Sequence, residues 1–224
     1  MHLTNEELLV EAIEEHDFKS FMTLLKKGVN LDTQYDEDGI YFNSLEVAVY
    51  ESFEIKSLDY VKVLLEYGAD IHIVLSMVAM NSHIEIAQLL LKYGADVNLL
   101  DKEITTVLFY AMNQGFFEEA KLFLNAGAYA TINKNNVGIP CLCTVLGNCS
   151  LDITKVRFLL DHGANAAIRD IDNMLALEIM ETNKDKVSSK KDYQELQTLL
   201  NPNNPPYLKL GENEEDKYII YENK

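Results

Sequence analysis

The sequence of 224 residues contains little cysteine. Its three cysteines, Cys141, Cys143 and Cys149, are odd in number and lie close together in the chain. Such a short, odd cluster does not suit a disulfide framework. We therefore expect the protein to reside in a reducing compartment, the cytoplasm.

Long apolar runs are also missing. A membrane-spanning helix needs roughly 20 apolar residues, and the longest candidate, His72 to Met80, has about half of that length. The N-terminus shows no basic start followed by an apolar stretch, so we expect no secretory signal. The hydrophobic fraction of 48% nevertheless suffices to bury a core, which argues against disorder throughout.

Basic residues are scarce as well. The chain has 19 Lys and Arg against 36 Asp and Glu, for a formal net charge of -17. Binding to nucleic acid or to an anionic membrane requires a basic surface, so the sequence predicts neither partner. Charge complementarity instead favours a partner protein with a basic surface.

One sequence pattern recurs along the chain. It is the end of a predicted helix with paired large apolar residues, followed by glycine and often by Ala and Asp or Asn. The five copies end at Gly28, Gly68, Gly94, Gly127 and Gly163. Successive glycines are 40, 26, 33 and 36 residues apart, and the first two intervals together equal two periods of 33. This is a repeat of about 33 residues in which one insertion and one deletion offset each other.

Each repeat is predicted to form two helices. The segment Asp59 to Glu66 places Val61, Leu64 and Leu65 on one side, as an amphipathic second helix does. A shorter helix that contains alanine, such as Thr106 to Asn113, precedes the second helix of its repeat. Since each pair exposes an apolar face that only a neighbouring pair can cover, the repeats are expected to be stable as a stack.

This repeat resembles that of the ankyrin-repeat family. The best copy of the family's repeat runs from Thr106 through Gly115 to Gly127 and Ala128, whereas the family's Thr-Pro-Leu-His start is eroded and only Pro140 keeps the proline. The resemblance implies an all-α ankyrin-repeat solenoid of about six helix-turn-helix units with short β-hairpin or loop fingers between the pairs. The predicted array covers residues 1–200, and an acidic tail covers 201–224. The units are roughly 5–34, 35–72, 73–100, 101–133, 134–169 and 170–200.

The predicted array is irregular. The second unit carries extra residues near Gly39 to Asn43 and between its helices near Phe53 to Ser57. The third unit runs from Gly68 almost directly into a helix at about Val74, so its finger is expected to be missing. The last helix is predicted at Asp192 to Leu200. In the tail, Tyr218 to Tyr221 is either an extra strand or a docked segment.

In the ankyrin family, partners usually meet the concave face formed by the fingers and the exposed ends of the first helices. Carried over to this sequence, the first-helix positions of that face are Glu14, Glu15, Tyr50, Glu51, Met80, Asn81, Asn113 and Gln114. The finger positions are Glu37, Asp38, Lys102, Glu103, Asn135, Asn136 and Asp172. Tyr50 beside carboxylates is typical of the aromatic and charged mixture at binding hot spots, although these acids are equally compatible with ordinary solvated surface.

The resemblance therefore implies a monomeric protein-interaction module or scaffold without a cofactor, not an enzyme. Within that class we expect an inhibitor of a basic partner, for instance an immunity-type protein that neutralises a toxin. A secreted microbial effector that binds a host protein is the alternative.

A metal-dependent or redox-dependent sensor or enzyme that uses the cysteines is the third hypothesis. Cys141, Cys143 and Cys149 would supply three soft ligands, but their spacing does not match a paired Cys-x-x-Cys zinc site. The first two also fall on repeat positions that are normally buried, where cysteine packs as a small hydrophobic residue. His83 is expected to stabilise the turn between two helices, and His162 precedes a glycine that caps a helix.

Overall fold

The computed structural model describes residues 3–37, 40–71, 74–100, 105–133, 139–147 and 151–203. These residues fall into two compact units. Unit 1 lies within residues 1–111 and 118–126, and unit 2 comprises residues 112–117 and the chain from 127 onward. Each unit has its own helix pairs and its own buried apolar residues.

Unit 1 is built from helix pairs and one hairpin. Its elements are α1 (Asn5–Glu14), α2 (Phe18–Leu25), β1 (Tyr35–Glu37), β2 (Ile40–Phe42), α3 (Ser44–Ile55), α4 (Asp59–Glu66), α5 (Val74–Asn81), α6 (Ile84–Lys92), the first part of α7 (Val107–Gln114) and most of α8 (Phe117–Phe123). Helices α1, α3 and α5 pack on α2, α4 and α6, respectively. The first helices also pack side by side, α3 lying against both α1 and α5. This arrangement confirms, within unit 1, the predicted stack of helix pairs.

Unit 2 repeats the same arrangement. Its helices are α9 (Tyr129–Ile132), α10 (Cys141–Gly147), α11 (Ile153–Asp161), α12 (Ala176–Thr182) and α13 (Lys190–Leu199), with a 3-10 turn at Lys184–Lys186. Helix α10 packs on α11 and α12 packs on α13, while α10 also contacts α12 and α11 contacts α13. Two neighbouring helix pairs therefore cover each other's apolar faces in this unit.

Helix starts follow capping chemistry in the sequence. In α3 the side chain of Asn43 accepts a hydrogen bond from the backbone of Glu46 (2.9 Å), and the Glu46 carboxylate accepts one from the backbone of Asn43 (2.8 Å). Thr4 and Glu7 form the same reciprocal pair at the start of α1. Such a capping box satisfies backbone donors that a helix start otherwise leaves unpaired.

The repeated glycines end second helices as predicted. All five have a positive φ, from 75° at Gly28 to 105° at Gly127. This left-handed conformation is strained for residues with a Cβ atom, so glycine suits the position. The five glycines that define the repeat are therefore helix ends, as the sequence predicts.

Asp and Asn side chains connect successive loops within each unit. In unit 1 the Asp32 carboxylate accepts a hydrogen bond from the backbone of Asp70 (2.9 Å). In unit 2 the Asn133 amide accepts one from the backbone of Asn165 (2.7 Å) and donates one to the carbonyl of Gly163 (2.9 Å). These Asp and Asn side chains thus hold the loops of neighbouring repeats together.

The extra residues of the second unit do not lengthen the turn between its helices. Helix α3 has 12 residues, whereas α5 and α7 have eight, so most of the insertion adds one helical turn that ends at Ile55. Lys56 then takes the left-handed conformation that ends the helix, with a φ of 52°. The other extra residues contribute to the hairpin of β1 and β2, which pairs Tyr35 with Phe42.

Several predicted element boundaries agree with the structure, and one needs correction. Helix α5 begins at Val74, and α4 has the predicted bounds. Helix α13 begins at Lys190 and not at Asp192, because the Ser189 side chain caps it by accepting a hydrogen bond from the backbone of Asp192 (3.1 Å). The individual unit boundaries stay a prediction, and the tail beyond residue 203 lies outside the described residues. None of the helices in the described ranges combines the length and the apolar character that crossing a bilayer requires.

Candidate functional site

The first helices of unit 1 carry the predicted binding residues in their second halves or directly after their ends. Glu14 is the last residue of α1 and Glu15 follows it, Tyr50 and Glu51 lie in the second half of α3, and Asn81 is the last residue of α5. We name these five residues the first-helix face. Helices α1, α3 and α5 pack side by side, so these five residues lie on or directly after neighbouring helices.

A histidine and a glutamate connect the first two repeats at this face. The Nε2 atom of His16 lies 3.8 Å from a carboxylate oxygen of Glu51, whose side chain is only 20% exposed. The other ring nitrogen of His16 lies 3.0 Å from the carbonyl oxygen of Ile13. The contact with His16 therefore restricts the orientation of the Glu51 carboxylate on this surface.

The aromatic residue of the face projects into solvent. Tyr50 is 64% exposed, the highest value for a large hydrophobic side chain among the described residues. Its ring centroid lies 6.4 Å from that of Phe53, one helical turn further along α3. The Phe53 ring in turn stacks on His83, with centroids 3.7 Å apart and 11° between the ring planes. The added turn of α3 therefore anchors the surface around Tyr50 to the next repeat.

A buried carboxylate connects the third repeat to the fourth, close to this face. The Ser82 hydroxyl donates a hydrogen bond to Glu119 (2.6 Å), a residue that is only 5% exposed. Burial lowers the pKa of His83, and the nearby Glu119 carboxylate opposes that shift. The Asn81 side chain donates to the carbonyl of Met77 (2.8 Å), which fixes its amide at the end of α5. Met80, also predicted for this surface, is 38% exposed.

Comparison with known proteins identifies the architecture. Residues 75–170 match the family model of ankyrin repeats, in three copies. Together with the paired helices and the glycine caps, this match decides the fold. The chain has an ankyrin-repeat fold. No curated protein sequence matches the chain significantly.

Solved structures agree in fold over most of the chain, and two of them are ankyrin-repeat proteins. An ankyrin repeat domain from Acinetobacter baumannii AYE is 24% identical with a TM-score of 0.63, over 86% of this chain and 95% of that chain. Another ankyrin repeat protein is 23% identical with a TM-score of 0.63, over 87% of this chain and 96% of that chain. A chain in the complex of a predatory endopeptidase from Bdellovibrio bacteriovorus with an immunity protein is 22% identical with a TM-score of 0.64, over 84% of this chain and 97% of that chain. At these identities the likeness concerns the fold.

Unit 2 carries the remaining first-helix positions of the ankyrin array. Asn113 and Gln114 end α7, and the carbonyl oxygen of Asn113 accepts a hydrogen bond from the Lys155 ammonium group. Asp172, predicted as a finger position, lies in the same unit, in a turn whose next residue, Asn173, has a positive φ of 62°. These residues belong to a different compact unit from Tyr50, so they form a separate part of the predicted set.

The finger positions of the ankyrin array are mostly beyond the described residues. Glu37 ends β1, where it pairs with Ile40. The positions that lie outside the described ranges are Asp38, Lys102, Glu103, Asn135 and Asn136.

Sequence reasoning missed two residues that contact the first-helix face of unit 1 and one exposed apolar residue of unit 2. His16 and Phe53 contact the first-helix face as described above, and Ile171 is 61% exposed in the turn before α12. Phe53 follows Tyr50 by three residues, which is helical spacing. This spacing indicates a contact between Tyr50 and Phe53 only if the inserted residues are predicted to be helical.

Cys141 and Cys143 pack inside unit 2. Cys141 and Cys143 are each 4% exposed, and burial raises the pKa of both thiols to about 12. A thiol with so high a pKa is a poor nucleophile and a poor metal ligand at neutral pH. Among the described residues, no three His, Cys, Asp or Glu side chains are grouped so as to hold a metal ion. Cys149, the third member of the predicted cluster, lies outside the described residues.

Proposed function

We propose that this ankyrin-repeat chain binds a protein partner with a basic surface through the first-helix face of unit 1. It acts in the cytoplasm as an immunity-type inhibitor and performs no catalysis. The observation that carries the proposal is the exposed ring of Tyr50 in the second half of α3. Glu51 follows it on the same helix, and Glu14 and Glu15 lie at the end of the neighbouring helix α1.

The aromatic ring supplies the affinity in this proposal. Tyrosine is enriched at binding hot spots because it offers a large contact area with few rotatable bonds. Tyr50 stands on a helix whose end is anchored by the stacking of Phe53 on His83. The surface is therefore preorganised and loses little conformational entropy when a partner binds.

The carboxylates supply orientation and speed of association. Exposed acidic groups attract a basic surface at long range and raise the association rate constant, whereas their direct contribution to affinity is small. With a formal net charge of -17, the whole chain adds to this attraction. Association should therefore slow markedly as ionic strength rises.

The immunity-type role is supported by one structural likeness. A chain in the complex of an endopeptidase with an immunity protein shares the fold over 84% of this chain. Blocking a toxic enzyme requires a preformed surface and no chemistry of its own, and a stack of helix pairs provides such a surface. The likeness agrees with the role, while the partner of this chain has to be found by experiment.

The test begins with affinity capture from the source organism and mass spectrometry, followed by calorimetry with each purified partner. We expect Tyr50→Ala to weaken binding by about 30-fold or more, which is the threshold of a hot spot. The triple variant Glu14→Lys, Glu15→Lys and Glu51→Lys should mainly slow association. As the control, Glu66→Lys and Glu85→Lys reverse charges on exposed residues of α4 and α6 in the same unit.

The outcomes separate binding from inhibition. If neither Tyr50→Ala nor the triple reversal changes affinity for any captured partner, the first-helix face is not the binding surface. The inhibitor role requires in addition that the captured partner arrests growth when produced alone, and that co-production of the chain restores growth. A harmless partner would refute the immunity role while leaving the binding surface intact, and a host protein as the partner would make the chain an effector.

A further inference from the structure

Unit 2 has an open depression beside the start of its last helix. Its volume is about 380 Å³, and it is lined by Lys184, Val187, Ser189, Lys190 and Tyr193. All five residues belong to the 3-10 turn, to the link that follows it or to the first turn of α13. The depression is therefore formed by one short stretch of chain and is independent of the first-helix face.

Two exposed lysines give the depression a positive charge in a chain that is otherwise strongly acidic. Among the described residues, neither Lys184 nor Lys190 lies within ion-pair distance of a carboxylate. The stretch 184–191 also contains Lys186 and Lys191, against a single acid, Asp185. It is thus a concentrated basic segment.

The position of Lys190 is electrostatically unfavourable for the helix itself. Lys190 and Lys191 are the first two residues of α13, where the helix dipole disfavours cations and favours anions. An anion placed beside them would relieve that repulsion and would also meet the positive end of the dipole.

The walls of the depression are held in place by hydrogen bonds. The Ser189 hydroxyl donates to the Asp192 carboxylate (2.7 Å), and the Tyr193 hydroxyl donates to Glu181 (2.5 Å). This bond from Tyr193, with a second from Gln197, lowers the pKa of Glu181, and Lys184 adds to the effect. Asp192 and Glu181 accept hydrogen bonds from these neighbours, and neither carboxylate forms an ion pair with Lys184 or Lys190.

We propose that the acidic C-terminal segment of this chain, residues 212–216, docks in the depression against Lys184 and Lys190. The segment reads Glu-Asn-Glu-Glu-Asp and lies in a part of the chain beyond the described residues. Its four carboxylates complement the four lysines of 184–191. The attraction of several such pairs exceeds that of a single surface ion pair, which is close to zero.

The length of the connecting chain permits this contact. Helix α13 has 10 residues and so separates its two ends by about 15 Å. The eight residues 204–211 can extend over about 26 Å, which is enough to return from the end of α13 to its start. A linker of this length gives a local concentration on the order of millimolar, so weak contacts suffice for substantial occupancy.

The test places a spin label in the tail of the full chain. Asn213→Cys is labelled in a Cys149→Ser background, because Cys141 and Cys143 are buried. We expect the label to reduce the amide NMR signals of residues 184–193 by about two-fold or more, as a tethered contact at millimolar local concentration would. Lys184→Gln together with Lys190→Gln should restore those signals. So should about 1 M salt, where the screening length falls to about 3 Å.

The control is Lys26→Gln together with Lys27→Gln, which removes two exposed charges from unit 1 and should leave the signal loss unchanged. Signal loss confined to residues next to the tail, or equal loss in the Lys184 and Lys190 variant, would overturn the proposal. The last experiment mixes two preparations. One chain carries the spin label without 15N, and the other carries 15N without the spin label. Signal loss in that mixture would assign the segment to a second copy and would also refute docking within one chain.

Discussion

His83 stacks on Phe53 with ring centroids 3.7 Å apart and the ring planes 11° from parallel. Phe53 lies in the added turn of α3, whereas His83 is the residue directly before the second helix of the next repeat. The contact therefore joins an insertion in one repeat to the turn of its neighbour. Because a partly buried imidazole resists protonation, the stability of this region is expected to depend on pH.

We predict that His83 makes unit 1 less stable in mild acid. Burial holds the pKa of His83 below its ordinary value of 6.5. Above pH 6.5 the residue is neutral in both the folded and the unfolded state. As the pH falls below 6.5 the unfolded state binds the proton first, so the free energy of unfolding decreases until the pH passes the folded pKa.

Urea unfolding of the wild type and of His83→Phe at pH 7.5 and 5.5 measures this effect. The phenyl ring retains the stacking on Phe53 but does not titrate, so the variant should lose less stability in acid than the wild type does. An equal loss in both proteins would contradict the prediction.

Ser82 is predicted to stabilise unit 1 by solvating a buried carboxylate. Ser82→Ala removes a hydrogen bond of 2.6 Å to Glu119, which is 5% exposed. We expect the free energy of unfolding to fall by about 1–3 kcal/mol, the range for a buried group that loses a charged hydrogen bond. In a Glu119→Ala background the same change should cost much less, and additive costs would show that the two side chains do not interact.

Lys56→Gly is predicted to stabilise the protein. Lys56 is exposed and ends α3 with a φ of 52°, a conformation in which glycine avoids the strain of a Cβ atom. We expect a gain of about 1 kcal/mol in the free energy of unfolding, measured by urea titration. Lys56→Ala keeps the Cβ atom and loses the charge, so it should give no such gain; a similar gain in Lys56→Ala would mean that charge and not backbone strain is responsible.

The thiols of Cys141 and Cys143 are predicted to be unreactive in the native protein. Burial raises the pKa of each to about 12, so almost no thiolate exists at pH 8. In a Cys149→Ser chain, a thiol-specific reagent should modify neither residue until denaturant is added and should then modify both. Rapid native labelling would support the redox hypothesis instead.

The periodic features of this fold were predictable from sequence because they depend on local chemistry. The capping glycines, the start of α5 at Val74 and the burial of Cys141 and Cys143 all follow from where a residue falls in the repeat. A glycine in the left-handed region and an apolar stripe are needed whichever neighbour packs beside them. The exposure of Tyr50 also follows from its position within the repeat.

The insertion in the second repeat was harder to place. Residues near Phe53 carry no proline or glycine that would end the helix, and a loop and a longer α3 both accommodate the extra length. What favours the helix is the contact of Phe53 with His83. The two residues are 30 positions apart in the sequence, so no local pattern reveals the contact.

The amino-acid sequence by itself determined the repeat length, the helix pairs, the acidic character and the repeat positions from which a partner-binding surface was predicted. These properties depend on composition and on residues a few positions apart. The tertiary structure decided which predicted residues share a surface, that Glu51 is held by His16 and that Glu119 is buried against Ser82. Those contacts join different repeats, and they form because packing removes apolar surface from water and leaves the nearby polar groups to find partners with one another.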